Sequence, residues 1–478
     1  MNPVTVPFED MLRARMSSPC FPISRSVYLN DPRGGPQGVS GLIVAPEKVA
    51  DVSFILARCN DAQIPVIPFG GGTGLVRGQL FGEPMRPVIL SLERLNKIRG
   101  IYPSENVMSV EAGVTLADAR REAERFDRTF PLSLASEGTA QVGGNLATNA
   151  GGVHVLRYGS ARNLCLGIEA VLPNGKVMNG LSRLRKDNTG YDVKSLMIGS
   201  EGTLGIITAA SLSLVSSSTN EGTAFFSVPS PKAAVALFVQ TQFQIGDNIR
   251  AFELIHRQGL EFLKETVPQT RLPFSDCPDW TVLMDIGVPR SVDPQALLID
   301  LYEDSQKADL VGNAIIARSQ KERDQFWSVR ENIPEANRRI GSVSSHDISV
   351  PLSAIPDFLE RAQQKVAEFG DLRINCFGHI GDGNLHYNVF PAKGKSRKQY
   401  HDIRGSIRRA VYELVNEFGG SISAEHGIGR QKVAELERFG DATKLALMRE
   451  IKNQIDPNGI MNPGALFSCA HDVNGSSE

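Results

Sequence analysis

A glycine cluster placed directly after a strand restricts this chain more than any other feature. Residues 64–69 (IPVIPF) are apolar and strand-like, and four of the five residues from Gly70 to Gly74 are glycine. Without Cβ atoms the backbone can turn tightly there and aim successive N–H groups into one concavity, an array that binds anions such as phosphate. Two later stretches share this character: SEGTAQVGGNLATNAGG (136–152) and GSEGTLGI (199–206), the second running straight into a strand. The first loop fits neither G-x-G-x-x-G nor a Gly-Lys-Ser/Thr phosphate loop. Three Gly/Ser/Thr-rich loops in one half of the chain suit an extended ligand gripped by backbone. A dinucleotide has that shape, although these residues alone do not choose a flavin.

Hydrophobic spacing divides the rest. SGLIVAP, a helical EKVADVSFILARCNDAQ and IPVIPF form a small α/β unit. A strand and helix follow in 106–126, and LCLGIEAVLPNGKVMNG (164–180) reads as a hairpin turning at Asn174-Gly175. With the long strand TLGIITAASLSLV, residues 1–217 are expected to form an α+β domain with its glycines in loops. Past SSSTNEG (216–222), strand-like TAFFSV, WTVLMDIGV and AIIARS alternate with helical segments, predicting a second, α/β domain with antiparallel pairing over 218–430. A C-terminal helix and turn (431–478) are expected to return to the first domain.

Composition narrows the function. Hydrophobic content of 41%, charge of 22% and a formal net charge of −2 over 478 residues are ordinary for a globular protein and supply no general attraction to nucleic acid. No apolar run of about 18 residues predicts a membrane span. Six scattered cysteines without paired spacing suit reduced thiols. The N-terminus lacks the apolar core of a secretory signal. A cytoplasmic enzyme is expected; a mitochondrial matrix protein without its presequence would read the same way.

The second half carries GHIGDGNLHYN (378–388) and AEHGIG (424–429). If Gly381–Asn384 closes a hairpin, His379 sits opposite His386, at about 4.5–5.5 Å between Cβ atoms and on one face. Glu425 would add an anionic donor, and two His with one carboxylate leave an open position for substrate. Neighbours on an extended chain point to opposite sides, so Glu425 and His426 need not share a role.

PFGGGTGL, GTAQVGGNLATNAGG with RYGSARN, and GYDVKSLMIGSEGTLGIIT resemble the flavin-binding domain of the vanillyl-alcohol oxidase superfamily. GHIGDGNLHYN, SISAEHGIGRQK and DPNGIMNPG are similar to the C-terminal half of its D-2-hydroxyacid dehydrogenase branch, which includes D-lactate dehydrogenase, the glycolate oxidase flavoprotein subunit and D-2-hydroxyglutarate dehydrogenase. The resemblance covers nearly the whole chain and implies an α+β fold: a two-part FAD-binding domain with an α/β cap containing an antiparallel sheet. It implies that Gly70, Gly71, Gly72, Thr73 and Gly74 hold the FAD pyrophosphate. Ser136, Thr139, Gly143, Gly144, Thr148 and Gly152 would line the track from adenine to isoalloxazine, with Ile206 near the adenine. Pro68, Glu201 and Asn462 would complete the cofactor site. The first loop has no His, so the FAD is expected to be non-covalent, and His154 is read as structural. His379, His386 and Glu425 would bind a divalent metal, commonly zinc, with His426 as the base.

The expected reaction oxidises a D-2-hydroxy acid to the 2-oxo acid. His426 takes the hydroxyl proton and a hydride passes to flavin N5. Asn388, on the His386 face, would hold an oxygen, and Arg330 would clamp the substrate carboxylate. D-2-hydroxyglutarate dehydrogenases carry a Thr and a Lys where this chain has Pro334 and Ser345, which leaves the side chain of the acid open; His346 is not expected to replace the lysine. Expected partners are a small 2-hydroxy acid and an acceptor such as an electron-transfer flavoprotein, cytochrome or quinone; a homodimer is compatible. Competing readings are an oxygen-using oxidase, a flavoprotein subunit that needs partner chains and, remotely, a zinc hydrolase.

Overall fold

The computed structural model describes residues 1–82, 85–217 and 219–468; Cys469 and the terminal NGSSE lie outside that range. The chain forms two compact units, one of Met1–Gly152, Gly159–Ser217 and His426–Glu478, the other of Val153–Tyr158 and Ser218–Glu425. Helices combine with parallel and antiparallel sheets, an α+β mixture. Among the described residues no helix is long and apolar enough to cross a membrane.

In the first unit, Leu42–Val44 and Val66–Phe69 flank Val88–Ser91 in a parallel three-stranded sheet. The helix Val49–Ala62 joins the two outer strands. It buries Val52, Ile55, Leu56 and Cys59, the i, i+3, i+4, i+7 face of a helix lying on a sheet. Val52, Ile55 and Leu56 each contribute about 1.5–3 kcal/mol by full burial. Ile460 and Met461 join the same core. The C-terminal turn is fastened to the strand end by Val66 N–H donating to Ile460 O at 2.8 Å and Asn462 N–H to Val66 O at 2.8 Å. A five-stranded antiparallel sheet completes the unit in the order Ile98–Tyr102, Val107–Glu111, Ile206–Ser213, Cys165–Val171, Val177–Gly180. Its last pair is the hairpin signalled by Asn174-Gly175; Gly175 has φ +81° and the Asn174 Oδ1 accepts from Lys176 N–H at 3.0 Å.

The second unit is built on a seven-stranded antiparallel sheet ordered Ala314–Ile316, Thr219–Val228, Trp280–Pro289, Ile249–His256, Leu372–His379, Asn384–Pro391, Ser344–Ser349. Helices Arg257–Thr266 and Gln320–Ile340 pack on one face through Leu260, Phe262, Leu263, Phe326, Val329 and Ile333, against Phe225, Ile255, Phe377 and Phe390. The strand list read from sequence omits Ile249–His256, which lies at the middle of this sheet. Its register, Glu253 opposite His379, is what builds the polar site below.

Candidate active site

In the first unit the three glycine-rich loops converge. Gly71 packs against the 139–140 backbone so closely that a Cβ there would fall 1.9 Å from the Thr139 carbonyl oxygen. Behind it the short helix Val142–Ala147 carries Gly143 against Ala112. The third loop is pinned by Glu201. Its carboxylate accepts the N–H groups of Ile428 and Gly429 at 2.8 and 2.7 Å, and its carbonyl accepts from Asn462 Nδ2 at 2.7 Å. Burial pushes the Glu201 pKa up, only partly offset by those two N–H groups and by Arg430.

Together the loops line a cleft that is partly open to solvent. Pro68, Gly70, Gly71, Gly72, Thr73, Gly74, Gly143, Gly144, Thr148, Glu201, Ile206 and Asn462 line it, and so does His426. Ser136, Thr139 and Gly152 do not reach its wall. Ser136 and Thr139 form the turn that backs Gly71, with Ser136 O accepting Thr139 N–H at 3.0 Å, and Gly152 packs on Ser133 O. Among the wall residues that the sequence did not single out are two polar ones, Gln141 and Asn145. Both are buried, and Gln141 Oε1 and Asn145 Nδ2 have no hydrogen-bond partner among the described residues. Buried polar atoms are normally satisfied, so a ligand that brings a donor and an acceptor fits this wall. They lie inside the second glycine-rich motif, four residues apart on one helical turn, and that spacing was the available signal.

The second unit brings His379, His386 and Glu425 together, each offering a ligand atom within 4.8 Å of the others. The pairing differs from the expected one: His386 lies opposite Phe377, and His379 opposite Glu253. A 3-10 turn at Ile380–Asp382 and Gly383 at φ +82° lengthen the connection by two residues at the His379 end. A shift of two preserves the face, so the imidazoles are diagonal neighbours with ring centroids 5.7 Å apart. His379 Nε2 is 3.3 Å from Glu425 Oε1, while its Nδ1 bonds the Glu253 carboxylate. His386 Nδ1 is 3.7 Å from Asp347 Oδ1, and Asp347 Oδ2 accepts the Glu425 N–H at 2.9 Å, which fixes that backbone.

Electrostatically this cluster seeks positive charge. Burial lowers the His379 pKa, but Glu253 and Glu425 outweigh it and hold the ring well above its ordinary value. Burial likewise opposes ionisation of Glu425, yet the charge on His379 brings it down to about 2. Burial lowers His386 to about 4, leaving a neutral imidazole with a lone pair. Two imidazoles, a carboxylate and carboxylates behind both rings form a donor set that fits a divalent cation.

Asn388 sits on the same face, opposite Ser345 and Asn375, with Nδ2 donating to His386 O at 3.1 Å. Arg330 is buried, not a surface ion pair: its Nε donates to Glu253 Oε2 at 2.6 Å and its guanidinium lies over the Phe377 ring at 4.6 Å. Pro334 is exposed one turn later in the same helix, and Ser345 is exposed beside Asn388. His346 faces the other side of the sheet, bonded to Tyr387 O at 2.8 Å and Ser344 Oγ at 3.0 Å. His154 lies edge-on to Tyr158 with Nε2 3.5 Å from Arg250 Nη2, in the second unit. Glu253, fully buried between His379 and Arg330, was missed in the sequence because its strand was missed.

Comparison with known proteins finds two families along the chain. Residues 40–180 match the FAD binding domain family and residues 218–466 the family of FAD linked oxidases, C-terminal domain. The chain is 35% identical over 431 residues to the mitochondrial D-2-hydroxyglutarate dehydrogenase of Arabidopsis thaliana, covering 89% of this chain and 75% of that protein. It is 33% identical to a D-2-hydroxyglutarate dehydrogenase of Xanthomonas citri, covering 90% of each. A D-2-hydroxyglutarate–pyruvate transhydrogenase of Saccharomyces cerevisiae is 33% identical over 89% of this chain and 86% of its own length. Among solved structures, alkyldihydroxyacetonephosphate synthase shares the fold, with a TM-score of 0.71 at 16% identity over 97% of this chain and 85% of that one. With a glycine-walled cavity in the first unit and both FAD families matched along the chain, this chain belongs to the FAD-linked oxidase family and is an FAD-dependent oxidoreductase.

Proposed function

We propose that this enzyme oxidises a D-2-hydroxy acid to the 2-oxo acid, using FAD in the glycine-walled cavity and a divalent cation held by His379, His386 and Glu425. The convergence of those three donors within 4.8 Å carries the metal-assisted reading. When bound, FAD supplies a two-electron acceptor and the cation supplies Lewis acidity that lowers the pKa of a nearby hydroxyl. His426, on the cavity wall and joined by a peptide bond to Glu425, accepts the hydroxyl proton. Arg330 keeps Nη1 and Nη2 without a hydrogen bond among the described residues, so its planar fork can take the substrate carboxylate. Asn388 Oδ1 orients the hydroxyl from the face it shares with His386. An external acceptor would take up the two electrons that the substrate gives up.

D-2-hydroxyglutarate is the first substrate to test, because relatives at 33–35% identity over about nine-tenths of the chain carry that name. Ser345 favours a second reading, a monocarboxylic D-2-hydroxy acid, since an exposed hydroxyl offers a distal carboxylate no countercharge. Anaerobic bleaching of the flavin by a panel of D- and L-2-hydroxy acids, before and after chelation, tests both. Bleaching by D isomers only, abolished by metal removal, is expected. Bleaching that survives complete metal removal would refute the cation's role, and no bleaching by any member of the panel would refute the substrate class.

A further inference from the structure

One carboxylate in the second unit answers two different donors. Glu253 is fully buried; one of its oxygens faces His379 Nδ1 and the other accepts Arg330 Nε at 2.6 Å. Strand register places it directly opposite His379. The Arg330 guanidinium is stacked on Phe377, which is itself the cross-strand partner of His386. On the far side of the His379 ring, Nε2 points at Glu425.

We propose that Glu253 is a positioning residue that fixes His379 in the tautomer able to bind a cation and, through its other oxygen, orients Arg330 for the substrate carboxylate. The proposal rests on the metal-assisted reading above. Its physical basis is the donor and acceptor inventory. A carboxylate only accepts, so it can receive Nδ1–H and Nε–H together. A glutamine in the same place has one acceptor and one donor group. If its oxygen serves Arg330, its NH2 faces His379 Nδ1, which favours the tautomer whose Nε2 carries the proton and cannot ligate. If its oxygen serves His379, its NH2 meets the Arg330 N–H, two donors opposed in a buried place. Removing Arg330 ends the conflict and frees the glutamine oxygen for His379.

Zinc affinity of the purified flavoprotein, measured by chelator competition, tests this on Glu253→Gln, Arg330→Met and the double variant. Glu253→Gln should lose about 10–100-fold in zinc affinity, as outer-shell changes do, and Arg330→Met should stay near wild type. The double variant should recover most of the Glu253→Gln loss, whereas a purely packing role would make the losses add. FAD content, which reads the other unit, should match wild type throughout. Unchanged zinc affinity in Glu253→Gln, or a double variant as weak as the single, overturns the proposal. Should Glu253→Gln fail to fold, the Arg330→Met background decides: Glu253→Gln there should keep zinc affinity while Glu253→Met, which has no acceptor for His379 Nδ1–H, should lose about tenfold, and equal affinity of the two overturns the proposal. Wild-type protein that binds no zinc would instead refute the metal reading itself, and the proposal with it.

Discussion

A Cβ built on Gly71 falls 1.9 Å from the Thr139 carbonyl oxygen and 2.7 Å from its carbon, both backbone atoms that no rotamer change can move aside. Gly71→Ala must therefore push the first glycine loop away from the turn that backs it. The variant should purify with little or no flavin, which the ratio of flavin to protein absorbance will show. His426 makes a separate prediction, because it lines the cavity wall from outside the three glycine-rich loops. His426→Asn should retain FAD but lower kcat by about 10²–10⁴-fold, the usual worth of a general base. Dye-reduction kinetics measure that loss; kcat within a few-fold of wild type would remove His426 from the proton-transfer role.

The turn between the two histidine strands sets their diagonal relation. Gly383 adopts φ +82°, and a Cβ there would fall 2.3 Å from Val350 O, so alanine is excluded on both conformational and steric grounds. Gly383→Ala should cost about 1–3 kcal/mol of stability through left-handed strain alone and should weaken zinc binding in the competition assay. The helix Arg257–Thr266 carries a pH-sensitive cap: His256 Nδ1 accepts the Gln258 N–H at 3.3 Å, and the ring packs on Trp280. Burial lowers its pKa to about 4, against a smaller opposing effect of Asp279. Between that value and an unfolded pKa of about 6.5 the unfolded chain binds more protons. This contribution is thus complete above about pH 6.5 and is lost as pH falls toward 4, by roughly 3 kcal/mol at the limit. Thermal melts from pH 7 to 4.5 should show the decline, and His256→Asn, which can still cap, should flatten it.

At the level of the whole molecule, the two chemistries are housed separately. Every residue lining the cleft belongs to the first unit, and every proposed metal ligand to the second. Chelation should therefore abolish substrate-dependent flavin reduction while leaving the FAD stoichiometry unchanged, and zinc should restore turnover. Release of flavin together with metal would show that the two sites are not independently stable.

What could be read from the residues alone was what neighbouring residues impose on one another. Glycine runs after a strand, an Asn-Gly turn and helical spacing in 49–62 act within a few residues, and the loops and elements they indicate are present. The period of two in a strand placed His379 and His386 on one face whatever their exact pairing, and the family resemblance rested on the same local motifs. The register was not legible, because a 3-10 turn and Gly383 add residues that spacing cannot count. Neither was the strand holding Glu253, whose largely buried AFELI stretch lacks the alternation of a half-exposed strand. The partner of Glu253 lies 126 residues away, and only the order of strands in the sheet decides that a lone buried carboxylate ends up between a histidine and an arginine. Tertiary structure settles such contacts because the cost of burying a charge is relieved by whichever opposite group the fold delivers, not by anything in its local sequence.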